Sequence, residues 1–165
     1  MLTGKKIVLG VSGGIAAYKM ANVASMLSKL HADIHVVMTE NATHFITPET
    51  FEVLTGNHCY TDTFDRCMEL HVPHIALGTQ ADAILIAPAS ADVVGKIANG
   101  IADDMLTTCV LPATCPVMLA PSMNVHMYEN PIVQDNMKKL ASYGYEIIEA
   151  DEGYLACRDI GKGKL

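Results

Sequence analysis

Three side chains capable of chemistry stand in three well-separated stretches. They are His74 in "HVPHIAL" (71–77), Asn124 in "APSMNVHMYENP" (120–131) and Cys157 in "GYLACRDIGKGKL" (153–165). An imidazole titrates near neutral pH and can serve as a base. A primary amide carries donors and an acceptor together, so it can bind a carboxylate and an amide at once. A thiol is a plausible acid, with an unperturbed pKa of about 8.5.

Each has a plainer reading. Asn is common in turns for backbone reasons. His71 and His74 are three apart, but no second cluster of His, Cys or carboxylate has metal-ligand spacing. His74 is then a base reaching in from a loop, or a histidine satisfied where it stands. Cys157 is an incidental thiol of a frayed terminus, or it belongs to a glycine-hinged flap that closes over a ligand. Arg158 and Lys162 would lower its pKa if the fold brings them close. Cys59, Cys67, Cys109 and Cys115 contain no CxxC pair and read as reduced, small hydrophobes. Met123 and Met127 are packing residues or the thioether wall of a flat aromatic ligand.

"GVSGGIAAYK" (10–19) adds a possible anion seat. Glycines let the backbone approach a phosphate, and a helix start supplies N–H donors. The stretch is neither GxGxxG nor a Walker loop, because Lys19 comes too late. A mononucleotide phosphate and a turn for tight strand–helix packing both remain open.

The elements that must position these groups are legible from periodicity. "KKIVLGV" (5–11), "DIHVVMT" (33–39), "ADAILIAP" (81–88), "CPVMLAP" (115–121) and "YEIIEA" (145–150) read as strands. Helices are expected over 15–30, 48–56, 90–111 and 131–144. The alternation implies a Rossmann-like (flavodoxin-like) doubly wound parallel sheet in a single α/β domain. Ligands of such sheets sit beyond the C-terminal strand ends. Four strands end in polar turns, "VSGG", "VVMTEN", "APASAD" and "APSMN", so the site is expected where these converge.

Composition narrows the function classes. The 165 residues carry a formal charge of −7, which argues against sequence-independent nucleic-acid binding. The charge-free stretch 105–123 contains Pro112, Pro116 and Pro121, so a continuous membrane-spanning helix is not expected. The reading is a cytoplasmic protein without a membrane partner.

Taken together, "SGGIAAYK", "HI-x-L" before "ADAILIAPASAD", "GKIANGIADDML", "PSMNVHMYENP" and "ACRDIGKGK" resemble the homo-oligomeric flavin-containing cysteine decarboxylases, in order and spacing over nearly the whole chain. The resemblance implies FMN as cofactor, contacted by Ser12, Gly13, Gly14, Ile15, Thr39, Glu40, Asn41, Phe45, Ser90, Ala91, Asp92, Val93, Ser122 and Met123. It implies His74 and Cys157 as catalytic residues. Asn124, Tyr154, Leu155, Ala156 and Lys162 would bind substrate, the last four within a flap at about 150–165. No metal is implied.

The implied reaction turns 4′-phosphopantothenoylcysteine into 4′-phosphopantetheine, a step of coenzyme A biosynthesis. A cysteinyl carboxylate loses CO₂ only when the resulting carbanion can delocalise. Oxidation of CH₂–SH to a thioaldehyde provides that, and the enethiol is then reduced again. His74 would assist the oxidation, Asn124 hold the carboxylate, and Cys157 protonate the enethiolate. Members assemble as trimers or dodecamers with FMN between subunits, and bacterial members are often fused to a ligase not expected within these 165 residues. Asp92, Tyr128 and Lys164 depart from the usual Asn, Trp and Arg. Alternatives are a lantibiotic-type peptidyl-cysteine decarboxylase, disfavoured by "LACRDIGKGK", and a non-catalytic phosphatase-regulatory flavoprotein.

Overall fold

The computed structural model describes residues 1–64, 72–154 and 160–165. The chain opens with β1 (Lys6–Val11), a single 3₁₀ turn (Ile15–Lys19) and α1 (Met20–Lys29). β2 (Asp33–Met38), a second 3₁₀ turn (Glu40–His44), α2 (Pro48–Thr55) and the two-residue β3 (Cys59–Tyr60) follow. Next come α3 (Pro73–Gln80), β4 (Ala83–Ala89), α4 (Ala91–Ala98), α5 (Met105–Val110) and β5 (Val117–Pro121). The chain finishes with α6 (Val125–Glu129), α7 (Pro131–Ser142), β6 (Glu146–Ile147), and a hairpin of β7 (Asp151–Tyr154) and β8 (Ile160–Lys164).

Six strands form one sheet in the order β3-β2-β1-β4-β5-β6, and every described pairing within it is parallel. This is the strand order of a Rossmann-like sheet, as the alternation of elements implies. The chain winds outward in one direction through β1, β2 and β3, then returns to β4 and winds the other way. The switch point therefore lies between β1 and β4.

Strand side chains alternate between faces, and the core divides accordingly. Val8 packs with Ile84, Ile86, Leu106 and Leu119 on one face. Leu9 and Val11 pack with Met20, Val36 and Phe51 on the other. Both faces are covered, which explains why the strands read as continuous apolar runs. Gly10 belongs to this packing: a Cβ there would stand 2.6 Å from Leu106 Cδ1, so the glycine lets α5 approach the sheet.

Helix boundaries follow local chemistry. Pro48 begins α2, and Gly56 ends it at φ 74° with its N–H on Glu52 O. Asp104 and Thr107 form a reciprocal capping box at the start of α5. The helices expected over 90–111 are α4 and α5, separated by a segment with Gly100 at φ 67°. The expected helix over 15–30 begins as a 3₁₀ turn.

Four features were not expected from periodicity: β3, α3, α6 and the β7–β8 hairpin. α3 corrects the placement of His74, which stands in the first turn of a helix rather than in a loop. Gly78 inside α3 looks like a helix breaker in sequence. In the fold it is a contact residue, since a Cβ there would collide with the Cys109 carbonyl of α5. No described helix is long and apolar enough to cross a membrane.

Candidate functional site

The polar residues after the strands act first on the backbone. Thr39 caps the 3₁₀ turn by accepting the Ala42 N–H at 3.3 Å. Ser90 caps α4 by accepting the Val93 N–H at 3.3 Å. Asn124 caps α6, its Oδ1 accepting the His126 N–H at 2.9 Å. Capping thus explains why Ser, Thr and Asn follow the strands, and it also sets these residues along one edge of the sheet.

Two adjoining cavities open on that edge. The first, about 440 Å³, is polar and runs from Gly13 past Thr39, Glu40 and Asn41 to Ser90–Val93. Its far wall is Lys96 with Asp103 and Asp104. The second, about 460 Å³, is more apolar, with Gly14, Ile15, Tyr18, Ser122, Met123 and Asn124 along its sides. Lys19 and Lys164 also border it. Gly13, Ser90, Ala91 and Met127 line both cavities and form the ridge between them. The two glycines serve different ends. A Cβ on Gly13 would stand 2.5 Å from Asn41 Cβ, whereas Gly14 meets nothing nearer than Pro88 Cγ at 4.0 Å.

Lys96 is the cation of the first cavity. Its Nζ lies 3.2 Å from Asp92, 3.1 Å from Asp103 and 3.8 Å from Asp104. Burial works against its charge, but hydrogen bonds and attraction from Asp103 and Asp92 outweigh that and raise its pKa above the ordinary lysine value. Lys96 therefore joins the start of α4 to the segment before α5.

The hairpin borders the second cavity. Gly163 O accepts the Met123 N–H at 3.1 Å and the Ser122 hydroxyl at 3.3 Å. Gly163 sits at φ 135°, and a Cβ there would overlap the Met123 carbonyl oxygen. Gly161 is equally constrained, since its Cβ would come 2.6 Å from Val125 Cγ2. These glycines, read in sequence as a source of mobility, provide close docking. Lys19 Nζ donates to the carbonyl of Leu165, the residue that follows β8.

Most residues implied as cofactor contacts meet at these cavities: Gly13, Gly14, Ile15, Thr39, Glu40, Asn41, Ser90, Ala91, Asp92, Val93, Ser122 and Met123. Ser12 does not line either one and is fully buried. Phe45 also lies outside both and is 47% exposed. His74 lines neither cavity, whereas Asn124 lines the second. Its Nδ1 is buried without a hydrogen-bond partner among the described residues. Tyr154 ends β7, paired with Ile160 through the backbone, and Lys162 lies exposed on β8. Leu155, Ala156 and Cys157 fall outside the described residues, as do Cys67 and His71.

Sequence reasoning did not single out Lys96, Asp103, Asp104 or Tyr18 for the site. Asp92 and Lys96 stand four apart, a helical ion-pair spacing that could have been noticed. Nothing local joins Lys96 to Asp103. Among the described residues, no group of three or more His, Cys, Asp or Glu could hold a metal ion.

Comparisons with known proteins bear on this arrangement. The chain is 50% identical to the coenzyme A biosynthesis bifunctional protein CoaBC of Bacillus subtilis, over all 165 residues and 41% of that protein. It therefore spans about two fifths of the length of this relative. It is 44% identical to a probable phosphopantothenoylcysteine decarboxylase of Streptococcus mutans, covering 98% of this chain and 91% of that one. Among solved structures, the FMN-dependent cysteine decarboxylase SpaF matches with a TM-score of 0.86 at 36% identity, covering 98% of this chain and 92% of that one. A cysteine-to-serine variant of PPC decarboxylase complexed with pantothenoylaminoethenethiol matches with a TM-score of 0.85 at 30% identity, covering 97% and 90%. The Flavoprotein family model spans residues 1–165, and with the switch-point cavities between β1 and β4 it places the chain in that family: this protein is a member of the Flavoprotein family.

Proposed function

We propose that this chain is an FMN-dependent decarboxylase that converts 4′-phosphopantothenoylcysteine to 4′-phosphopantetheine in coenzyme A biosynthesis, a carboxy-lyase acting in the cytoplasm. The observation that carries the reading is the pair of cavities sharing the Gly13–Ser90–Ala91–Met127 ridge, with Asn124 in the apolar member. The similarity to a probable decarboxylase, over 98% of this chain and 91% of that one, supports the choice of substrate.

The residues present fit a flavin mononucleotide. The first cavity offers the Ala91 and Asp92 N–H groups of α4, which have no acceptor within the helix. The second is walled by Ile15, Tyr18, Met123 and Met127, a surface suited to a flat ring. Gly14 leaves room for a close backbone approach. Bound FMN supplies the hydride acceptor that oxidises the substrate CH₂–SH and the hydride that later reduces the enethiol.

The chain's own groups do the rest. His74 takes the thiol proton as oxidation begins. The Asn124 NH₂ donates to the substrate carboxylate, while the His126 N–H on its Oδ1 fixes the amide's rotation. Cys157 gives a proton to the enethiolate. Tyr154, Leu155, Ala156 and Lys162 hold the substrate from the flap at about 150–165, in a domain spanning 1–165. A homo-oligomer, trimer or dodecamer, is part of the reading, because a neighbouring copy can bring His74 and Phe45 to the cavity that Asn124 lines.

The test is direct. The purified protein is supplied with FMN and 4′-phosphopantothenoylcysteine, and CO₂ and 4′-phosphopantetheine are followed together. Stoichiometric release of both is expected. A protein that binds no FMN and releases no CO₂ refutes the reading.

A further inference from the structure

Ser12 stands directly before the glycine turn, where a phosphate contact is implied, yet its geometry suits another task. The parallel ladder between β1 and β4 runs from Ile7 paired with Ala83 to Gly10 paired with Ile86. The β1–β4 ladder ends there, β4 shifts register against β5 between Ile86 and Ala89, and Pro88 has no N–H to offer. The Ser12 side chain takes over where the ladder stops. Its hydroxyl donates to Pro88 O at 2.6 Å and accepts the Ser90 N–H at 2.9 Å. The Ser12 N–H also reaches Pro88 O, at 3.3 Å.

Ser12 is followed immediately by Gly13, and Ser90 by Ala91. Those residues, on opposite sides of the switch point, form the ridge both cavities share. Ser90 in turn caps α4 through the Val93 N–H. One hydroxyl therefore sets the distance between the glycine turn and the start of α4. Being fully buried and outside both cavities, it does so from behind the site.

We propose that Ser12 is a positioning residue that holds Gly13 and Ser90 at the separation a bound flavin requires, and that it does not itself contact the flavin. The binding part of this proposal rests on the flavin reading above. The clamp itself can be tested without any ligand.

In the ligand-free wild type, the Ser90 amide is expected to be protected from deuterium exchange, because the clamp is formed before a ligand arrives. Exchange there as fast as in an open loop overturns the proposal, and no variant is required. In Ser12→Ala, the Ser90 amide should lose at least tenfold protection while Val8 and Leu85 keep theirs. Dissociation constants for FMN and for riboflavin, measured well below the melting temperature, should rise by the same factor, about tenfold or more. Ser12→Thr, which retains the hydroxyl, should restore both. A loss confined to FMN makes Ser12 a direct phosphate ligand and overturns the proposal. A lowered melting temperature with unchanged dissociation constants makes the clamp merely structural and also overturns it. Wild type that binds neither flavin refutes the flavin reading, and the exchange arm still decides the clamp.

Discussion

Gly163 on the last strand accepts the backbone N–H of Met123 at 3.1 Å, one residue before Asn124. The strand β8 is thereby joined to the segment that carries the expected carboxylate ligand. The junction requires glycine twice over, for its φ of 135° and for the Met123 carbonyl where a Cβ would stand. Gly163→Ala is expected to lift β8 from this segment, since strained backbone of this kind costs about 1–3 kcal/mol. Limited proteolysis should become faster at residues 151–165 first. Decarboxylation should fall about a hundredfold, with the melting temperature changed by only a few degrees.

Lys96 holds three carboxylates together at the wall of the first cavity. Lys96→Met leaves Asp92, Asp103 and Asp104 facing an anionic ligand without their counter-ion, and FMN affinity should fall about tenfold or more. Added salt should recover part of that loss, because screening weakens repulsion among partly exposed charges. Asp92→Asn in the same background should recover more. Equal affinity in wild type and Lys96→Met would remove the lysine from binding.

The same group predicts a pH dependence. The folded pKa of Lys96 is raised above 10.5, so its contribution to stability is complete below that value and is lost as pH rises through the folded pKa. Denaturant titrations across the alkaline range should show a steeper decline for wild type than for Lys96→Met. Parallel declines would place the alkaline loss elsewhere.

Buried thiols should be inert. Burial, reinforced by Glu52 and Glu49, pushes the Cys59 thiol up to about 12, and burial with Cys115 nearby does the same for Cys109. At pH 8 in the native state, alkylation followed by peptide mass spectrometry should leave both unmodified over hours. Modification at the rate of a free thiol would contradict their burial.

Cys157→Ser addresses the reaction itself. The variant is expected to oxidise and decarboxylate one equivalent of substrate, then accumulate a product two hydrogens lighter than 4′-phosphopantetheine. Mass spectrometry of the quenched mixture reads this directly. Full turnover by the variant would take Cys157 out of the reductive step.

How legible the protein was depended on the range of the interactions concerned. The central strands and α1, α2 and α7 were readable because apolar spacing and local Pro and Gly signals reflect contacts made within a few residues. The hairpin of β7 and β8 was not, because its glycines look the same whether they free a chain or admit a close neighbour. α3 was hidden by Gly78, whose reason lies on α5, 31 residues further along at Cys109. For Ser12, the family resemblance implies a flavin contact, and only the fold shows that its hydroxyl faces Pro88 and Ser90.

By itself, the sequence determined the alternating α/β order, the four polar strand ends and the family resemblance carried by its motifs. These rest on periodicity, capping residues and turn chemistry, all local. Only the tertiary structure decided that the strand ends make two cavities rather than one, that Lys96 gathers three aspartates, and that Asn124 lines one of those cavities while His74 lines neither. The physical reason is that a parallel sheet makes neighbours of residues far apart in the chain, as it does for Ser12 and Ser90, and no local pattern records the distance between them.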